Sequence, residues 1–149
     1  MANLETTYLG LKLKNPIIVS SSGLTSNVES IKKLADNGAA AVVLKSLFEE
    51  QILQEAGSLS VHSDYPEAED YLKSYVTSNN VDKYLELISC AKKAVDIPVI
   101  ASINCISATK WIDFSAKIQE AGADALEINV FILPTDSRKK AEDYEEVYF

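Results

Sequence analysis

Four short apolar runs, Pro16 to Ser22, Ala40 to Ser46, Ile97 to Asn104 and Asp124 to Val130, each finish in polar side chains at alternating positions. A β-strand sends successive side chains to opposite faces, so Ser20/Ser22, Val43/Lys45, Ser102/Asn104 and Glu127/Asn129 each share a face. Between the runs lie stretches of helical period. Val28, Ile31, Leu34 and Ala35 form one apolar stripe that stops at Gly38, with Ser26 and Glu29 at capping-box spacing ahead of it. Val81, Tyr84, Leu85, Ile88, Ala91 and Val95 form a second, with Asn79 or Asn80 as its cap. Trp111, Phe114, Ile118 and Ala121 form a third, capped near Ser107 and ending before Gly122.

Strands alternating with helices across short connections predict a parallel sheet, and parallel α/β folds gather ligand sites at the carboxyl ends of their strands. The four polar endings therefore read as one site. A doubly wound sheet would carry a glycine fingerprint after its first strand, but SSSGLTSN holds only Gly23. A (β/α)8 barrel fits better. Complete barrels run to about 250 residues, and only four strands are legible in these 149 residues. The expected fold is α/β: the N-terminal half of a TIM barrel, residues 1–149 forming one partial, truncated domain. The opening ETTYLGLKLKNP alternates around Gly10 and predicts a β-hairpin that plugs one end of the sheet. Residues 47–79 mix turn formers with tyrosines and read as a long loop, with a helical option over 48–56, and the final TDSRKKAEDYEEVYF reads as the start of a helix.

A weak internal repeat supports the βα pattern. NGAAAVVLK, residues 37–45, aligns without gaps on AGADALEIN, residues 121–129, and sets Lys45 against Asn129. Hydrophobic residues make up 47% of the chain, enough to build a core, and its net charge of −8 opposes a nucleic-acid or anionic-membrane partner, either of which needs clustered Lys and Arg. No run approaches the roughly 18 apolar residues of a spanning helix. A cytoplasmic protein with a small-molecule partner is expected. Cys90 and Cys105 lack metal or redox spacing, and the sole histidine, His62, has no ligating neighbour, so no metal site is expected.

Lys45 ends an otherwise apolar strand, where an ammonium needs a counter-charge, a path to solvent or a ligand. It is read either as a contact to negative charge on a cofactor or substrate, or as a strand-end lysine reaching water or pairing with Glu127. Asn104 and Asn129 offer donors and acceptors suited to an amide-rich heterocycle, but asparagines at strand ends also satisfy turns. Ser22 and Ser46 are open to the same two readings. Glu127 is read as a structural partner beneath Asn129.

NPIIVSSSG, VVLKS, IPVIASINC and GADALEINV together resemble, in order and spacing, the first four strand segments of the dihydroorotate dehydrogenase family. The third and fourth segments, with SINCISATKW between them, are also similar to the pyrimidine-reducing domain of dihydropyrimidine dehydrogenase. The resemblance implies an FMN-dependent (β/α)8 barrel that moves hydride from a dihydropyrimidine to the flavin while a cysteine or serine removes a proton. It assigns Ser21, Ser22, Lys45, Ser46, Asn104 and Asn129 to the cofactor, with Lys45 and Asn129 also reaching the pyrimidine. Two stretches depart from the family. Its Ser-Cys-Pro-Asn segment after the fourth strand is replaced by VFILPTD, where Thr135, Asp136 and Ser137 do not inherit the base role, and HSDYPEAEDYL occupies the region of its substrate loop. The catalytic base is thus unassigned. The alternatives are another pyrimidine or ene reductase of this fold, or a non-catalytic half-barrel acting by self-association; the missing C-terminal half is the other expected partner.

Overall fold

The computed structural model describes residues 2–51, 54, 66–104, 108–129 and 135–146, and the backbone alone for 66–74 and 108–111. The chain opens with β1 (Thr6–Tyr8) and β2 (Leu11–Leu13), an antiparallel hairpin closed by Leu9 and Gly10. Both turn residues have positive φ, 52° and 79°. That is the twist a two-residue hairpin turn needs, natural for glycine and strained for leucine.

The main sheet is parallel. β3 (Ile18–Val19) pairs with β4 (Ala41–Val43), β4 with β6 (Val99–Asn104), and β6 with β7 (Ala125–Ile128), so the four predicted strands lie in sequential order. A doubly wound sheet reverses its order at the switch point. The sequential run instead matches the expected segment of a (β/α) barrel. β5 (Leu47–Phe48) continues β4 along the same side of β6, but with a changed register: Val43 faces Ile100, whereas Leu47 faces Ile103. Four steps on one strand meet three on the other. The extra residue is a bulge over Leu44, Lys45 and Ser46, which bends the strand and re-aims its side chains.

α1 (Val28–Asp36) and α2 (Pro66–Ala94) precede β4 and β6, α3 (Ala108–Glu120) precedes β7, and α4 (Ala141–Glu145) follows it. α1 and α3 end alike: Gly38 and Gly122 adopt φ of +98° and +95°, and Ala39 and Ala123 donate backbone hydrogen bonds to Leu34 and Ile118. The internal repeat is thus a repeated helix-stop-strand unit.

Two apolar layers flank the sheet. On the outer face Val42, Leu44, Val99, Ala101 and Ile103 pack against Ile31, Ile88, Phe114 and Ile118 from the helices. On the other, Ala41, Val43 and Ile100 meet Leu13 of the hairpin. These residues sit at the amino-terminal ends of the strands, so the hairpin plugs that end as expected.

Some boundaries differ from those read in the sequence. Asn27, not Ser26, caps α1, its side chain accepting from Ser30 N–H at 2.9 Å, while Ser26 Oγ donates to Gly23 in a short 3-10 turn, Gly23–Thr25. Asn79 and Asn80 lie inside α2 rather than capping it, and Asn80 Nδ2 donates to the Val76 carbonyl. The predicted loop is shortened accordingly by helix from Pro66 onward, and Leu47–Phe48 joins the sheet. Residues 49–51 are helical. All side chains of HSDYPEAEDYL, Cys105, Ser107 and the side chain of Trp111 lie outside what the structure describes.

Candidate functional site

Above the apolar layer, the inner face turns polar. Ile100, Ser102 and Asn104 alternate along β6, while Ala125, Glu127 and Asn129 follow the same rhythm beside them, with Ser102 paired to Glu127 in register. The carboxyl ends of the strands enclose a cleft of about 750 Å³, to which Ser21, Ser22, Lys45, Ser46, Glu127 and Asn129 contribute, with Phe48 as an apolar wall. Five of the six predicted cofactor residues therefore meet at one place. Asn104 stands behind it. Its Nδ2 donates to the Asn129 carbonyl at 2.6 Å, so the asparagine braces the end of β7 rather than lining the cleft.

The bulge explains how Lys45 and Ser46, adjacent in sequence, both serve the cleft. Ser46 is buried and turned inward, and Lys45 is exposed. Of the readings open in the sequence, the exposure fits a strand-end lysine that reaches water: the bend carries it out of the sheet. Nor does Lys45 pair with Glu127, which instead accepts from Ser102 Oγ at 2.7 Å. Among the described residues the Lys45 side chain has neither an ion pair nor a hydrogen bond. Ser22 keeps the turn role as well, its Oγ accepting from Leu24 N–H at 3.3 Å.

Beneath the cleft floor runs a polar chain that the sequence did not disclose. Ser21 Oγ lies 3.0 Å from Ser46 Oγ, Ser46 Oγ lies 2.8 Å from Ser102 Oγ, and Ser102 Oγ reaches Glu127. Ser46 N–H also donates to Ser21 Oγ at 2.9 Å. Tyr84 supports the chain from the helical side. Backbone groups alternate direction along a strand, and Leu44 N–H donates to Ile100 while Asn129 N–H donates to Ile103, so Ser102 must direct its N–H and C=O toward the bulge. There the ladder is broken, and the Tyr84 hydroxyl fills the gap, accepting from Ser102 N–H at 2.8 Å and donating to Ser102 C=O at 2.9 Å. Burial pushes the Tyr84 phenol up to about 12, opposed by the Ser102 backbone bond and reinforced by the charge of Glu127. In sequence, Tyr84 is indistinguishable from a core stripe residue; a serine in the middle of an apolar strand was the available signal for Ser102.

Of the three residues set aside as replacements for the base, Asp136 is already engaged. Arg138 donates to it from Nε, Nη2 and the backbone, and holds its carboxyl below the usual range.

Comparison with known proteins agrees with the segments quoted above. The catalytic subunit of dihydroorotate dehydrogenase B (NAD(+)) from Thermoplasma volcanium is 34% identical over 137 residues, 87% of this chain. The chain is dihydroorotate dehydrogenase-like. A second such subunit, from Methanosarcina mazei, is 30% identical over 129 residues. The NAD-dependent dihydropyrimidine dehydrogenase subunit PreA of Escherichia coli is 29% identical over 136 residues. This dihydroorotate dehydrogenase-like chain spans 42%, 40% and 32% of the lengths of those three relatives. No protein-family model matches it. An IMP dehydrogenase/GMP reductase-like protein from Corynebacterium glutamicum superposes with a TM-score of 0.49 at 11% identity, covering 90% of this chain and 37% of that one. The fold assignment rests on the strand order.

Proposed function

We propose that the cleft is the amino-terminal half of an FMN site, in which a dihydropyrimidine such as dihydroorotate is oxidised. One observation carries this reading: Ser21, Lys45, Ser46 and Asn129, drawn from three strand ends, converge on one cleft within the segments that resemble the dihydroorotate dehydrogenase family. The donor set suits the group. An exposed ammonium with no ion pair or hydrogen bond among the described residues, an asparagine at a strand end and a serine hydroxyl can face the carbonyl and imide edge of a flavin, and a volume of about 750 Å³ lies in the range of cofactor pockets. Bound flavin would supply the hydride acceptor.

The chain's own residues then orient and stabilise. With the flavin held by Lys45 and Asn129, the lysine would supply positive charge to a ring system that gains electrons and the asparagine amide would orient it. Phe48, an apolar wall of the cleft, would help exclude water. Proton removal is assigned to no residue here, because the stretch that carries the family's cysteine or serine reads otherwise. The similarity to PreA favours a second substrate, a dihydropyrimidine without the carboxylate of dihydroorotate.

Titrating the chain with FMN, followed by flavin fluorescence, tests the reading. Lys45→Ala and Asn129→Ala are each expected to weaken binding about tenfold, the equivalent of about 1.4 kcal/mol, whereas Lys32→Ala on the far side of α1 should not. Equal curves for all variants, or no binding, overturn it. Flavin reduction by dihydroorotate against dihydrouracil then separates the two substrates.

A further inference from the structure

The serine chain has a direction, and it can be worked out from proton inventory. An ionised carboxylate only accepts, so the Ser102 hydroxyl proton is committed to Glu127. With that proton spent, the 2.8 Å contact between Ser46 and Ser102 must be made by the Ser46 proton. The 3.0 Å contact between Ser21 and Ser46 then requires the Ser21 proton. Ser21 Oγ also accepts from Ser46 N–H. One lone pair is all that Ser21 has left, and Ser21 lines the cleft. The geometry points to Glu127 as the residue that fixes Ser21 as a hydrogen-bond acceptor, so that the cleft selects a ring bearing an N–H donor, of the cyclic imide or ureide class.

Burial makes this arrangement costly to ignore. Ser102 is fully buried and Ser46 nearly so, at 0% and 8% exposure, and a hydroxyl stranded there without a partner loses its hydrogen bond with no water to replace it. Reversing Ser21 to donate into the cleft would strand the contact to Ser46, since each proton further along is already used. The carboxylate therefore acts at a distance of three hydrogen bonds. Glu127 is a positioning residue in this respect, and Ser21 is the one that reads the ligand. Removing the carboxylate frees the Ser102 proton and allows the whole chain to run the other way, turning Ser21 into a donor.

The recognition half of this inference rests on the flavin reading, but the direction of the chain does not. Neutron diffraction from the perdeuterated protein is expected to show the Ser21 deuteron toward Ser46, that of Ser46 toward Ser102 and that of Ser102 toward Glu127. A Ser21 deuteron aimed into the cleft overturns the inference. In Glu127→Ala the deuterons are expected to reverse or to split between the two directions; an unchanged order there also overturns it. For recognition, FMN is compared with N3-methyl-FMN, which lacks the ring N–H. The wild-type chain should prefer FMN by about tenfold, and Ser21→Ala and Glu127→Ala should each reduce that preference to about threefold or less. A preference untouched by Glu127→Ala overturns the link to recognition, whereas failure to bind either flavin strikes the flavin reading and leaves the neutron result to decide the chain's direction.

Discussion

Tyr84 shows how one side chain can hold a site it does not enter. Its hydroxyl supplies the two hydrogen bonds that the β4–β5 bulge takes away from Ser102, and so keeps the middle of the serine chain in place. The phenol stays protonated in the fold up to about 12, against 10.0 for an ordinary tyrosine. A raised value means that the unfolded chain loses this proton first. The stabilisation is complete below pH 10.0 and falls away as the pH rises to about 12. At 1.36 kcal/mol per unit, a two-unit difference amounts to about 3 kcal/mol. Urea unfolding across that window should show the loss, and Tyr84→Phe should lack this part of it. The same variant leaves Ser102 N–H and C=O without partners in a buried place and should cost about 1–3 kcal/mol at neutral pH. A Tyr84→Phe protein as stable as wild type at neutral pH, with the same alkaline profile, would remove the role assigned here.

At the level of elements, Asp124 joins three of them. It sits just before β7, receives Lys92 Nζ of α2 at 2.7 Å and accepts the Val99 N–H that opens β6, also at 2.7 Å. The two bonds are unequal in worth. The ion pair is partly solvated, with the lysine and aspartate side chains 31% and 24% exposed, so Lys92→Ala is expected to cost less than about 1 kcal/mol. The bond to Val99 anchors the start of the central strand. Asp124→Ala should therefore cost about 2 kcal/mol and Asp124→Asn distinctly less, since an amide oxygen still accepts from the backbone; denaturant midpoints of the three variants give the order. A larger loss in Lys92→Ala than in Asp124→Ala would reverse the assignment. These elements were legible to different degrees. The stripes of α1 and α3, the stops at Gly38 and Gly122 and the strand faces all follow from local periodicity and appear in the sequence. The amino-terminal half of α2 was hidden because Asn79 and Asn80 look like caps, although Asn80 finds a partner one turn back. The bulge was hidden because it exists only as a register difference between β4, β5 and β6, which no single strand records. That is why the sequence left open whether Lys45 reaches water, and why Asn104, on the expected face of β6, turns out to brace the end of β7.

At the scale of the whole molecule, the parallel sheet has two open sides among the described residues. Among the described residues β3 pairs only with β4 and β7 only with β6, and Ile17 and Ile128 next to these edges are 61% and 57% exposed. In a closed barrel such strands would be paired, and open edges with exposed apolar neighbours invite pairing with another chain. The net charge of −8 works against that encounter, because like-charged copies repel at low salt and the repulsion is screened as salt is added. Sedimentation velocity of the chain should thus show association that grows with protein concentration and with ionic strength. Charge and edge make opposite predictions for one variant. Introducing Ile17→Lys and Ile128→Lys moves the net charge toward zero, which on electrostatic grounds alone would promote association, while a lysine at each edge should block strand pairing. Weaker association in the double variant assigns the contact to the sheet edges; stronger association assigns it to another surface, and a wild-type chain that stays monomeric at every concentration and salt level means that the edges are already protected.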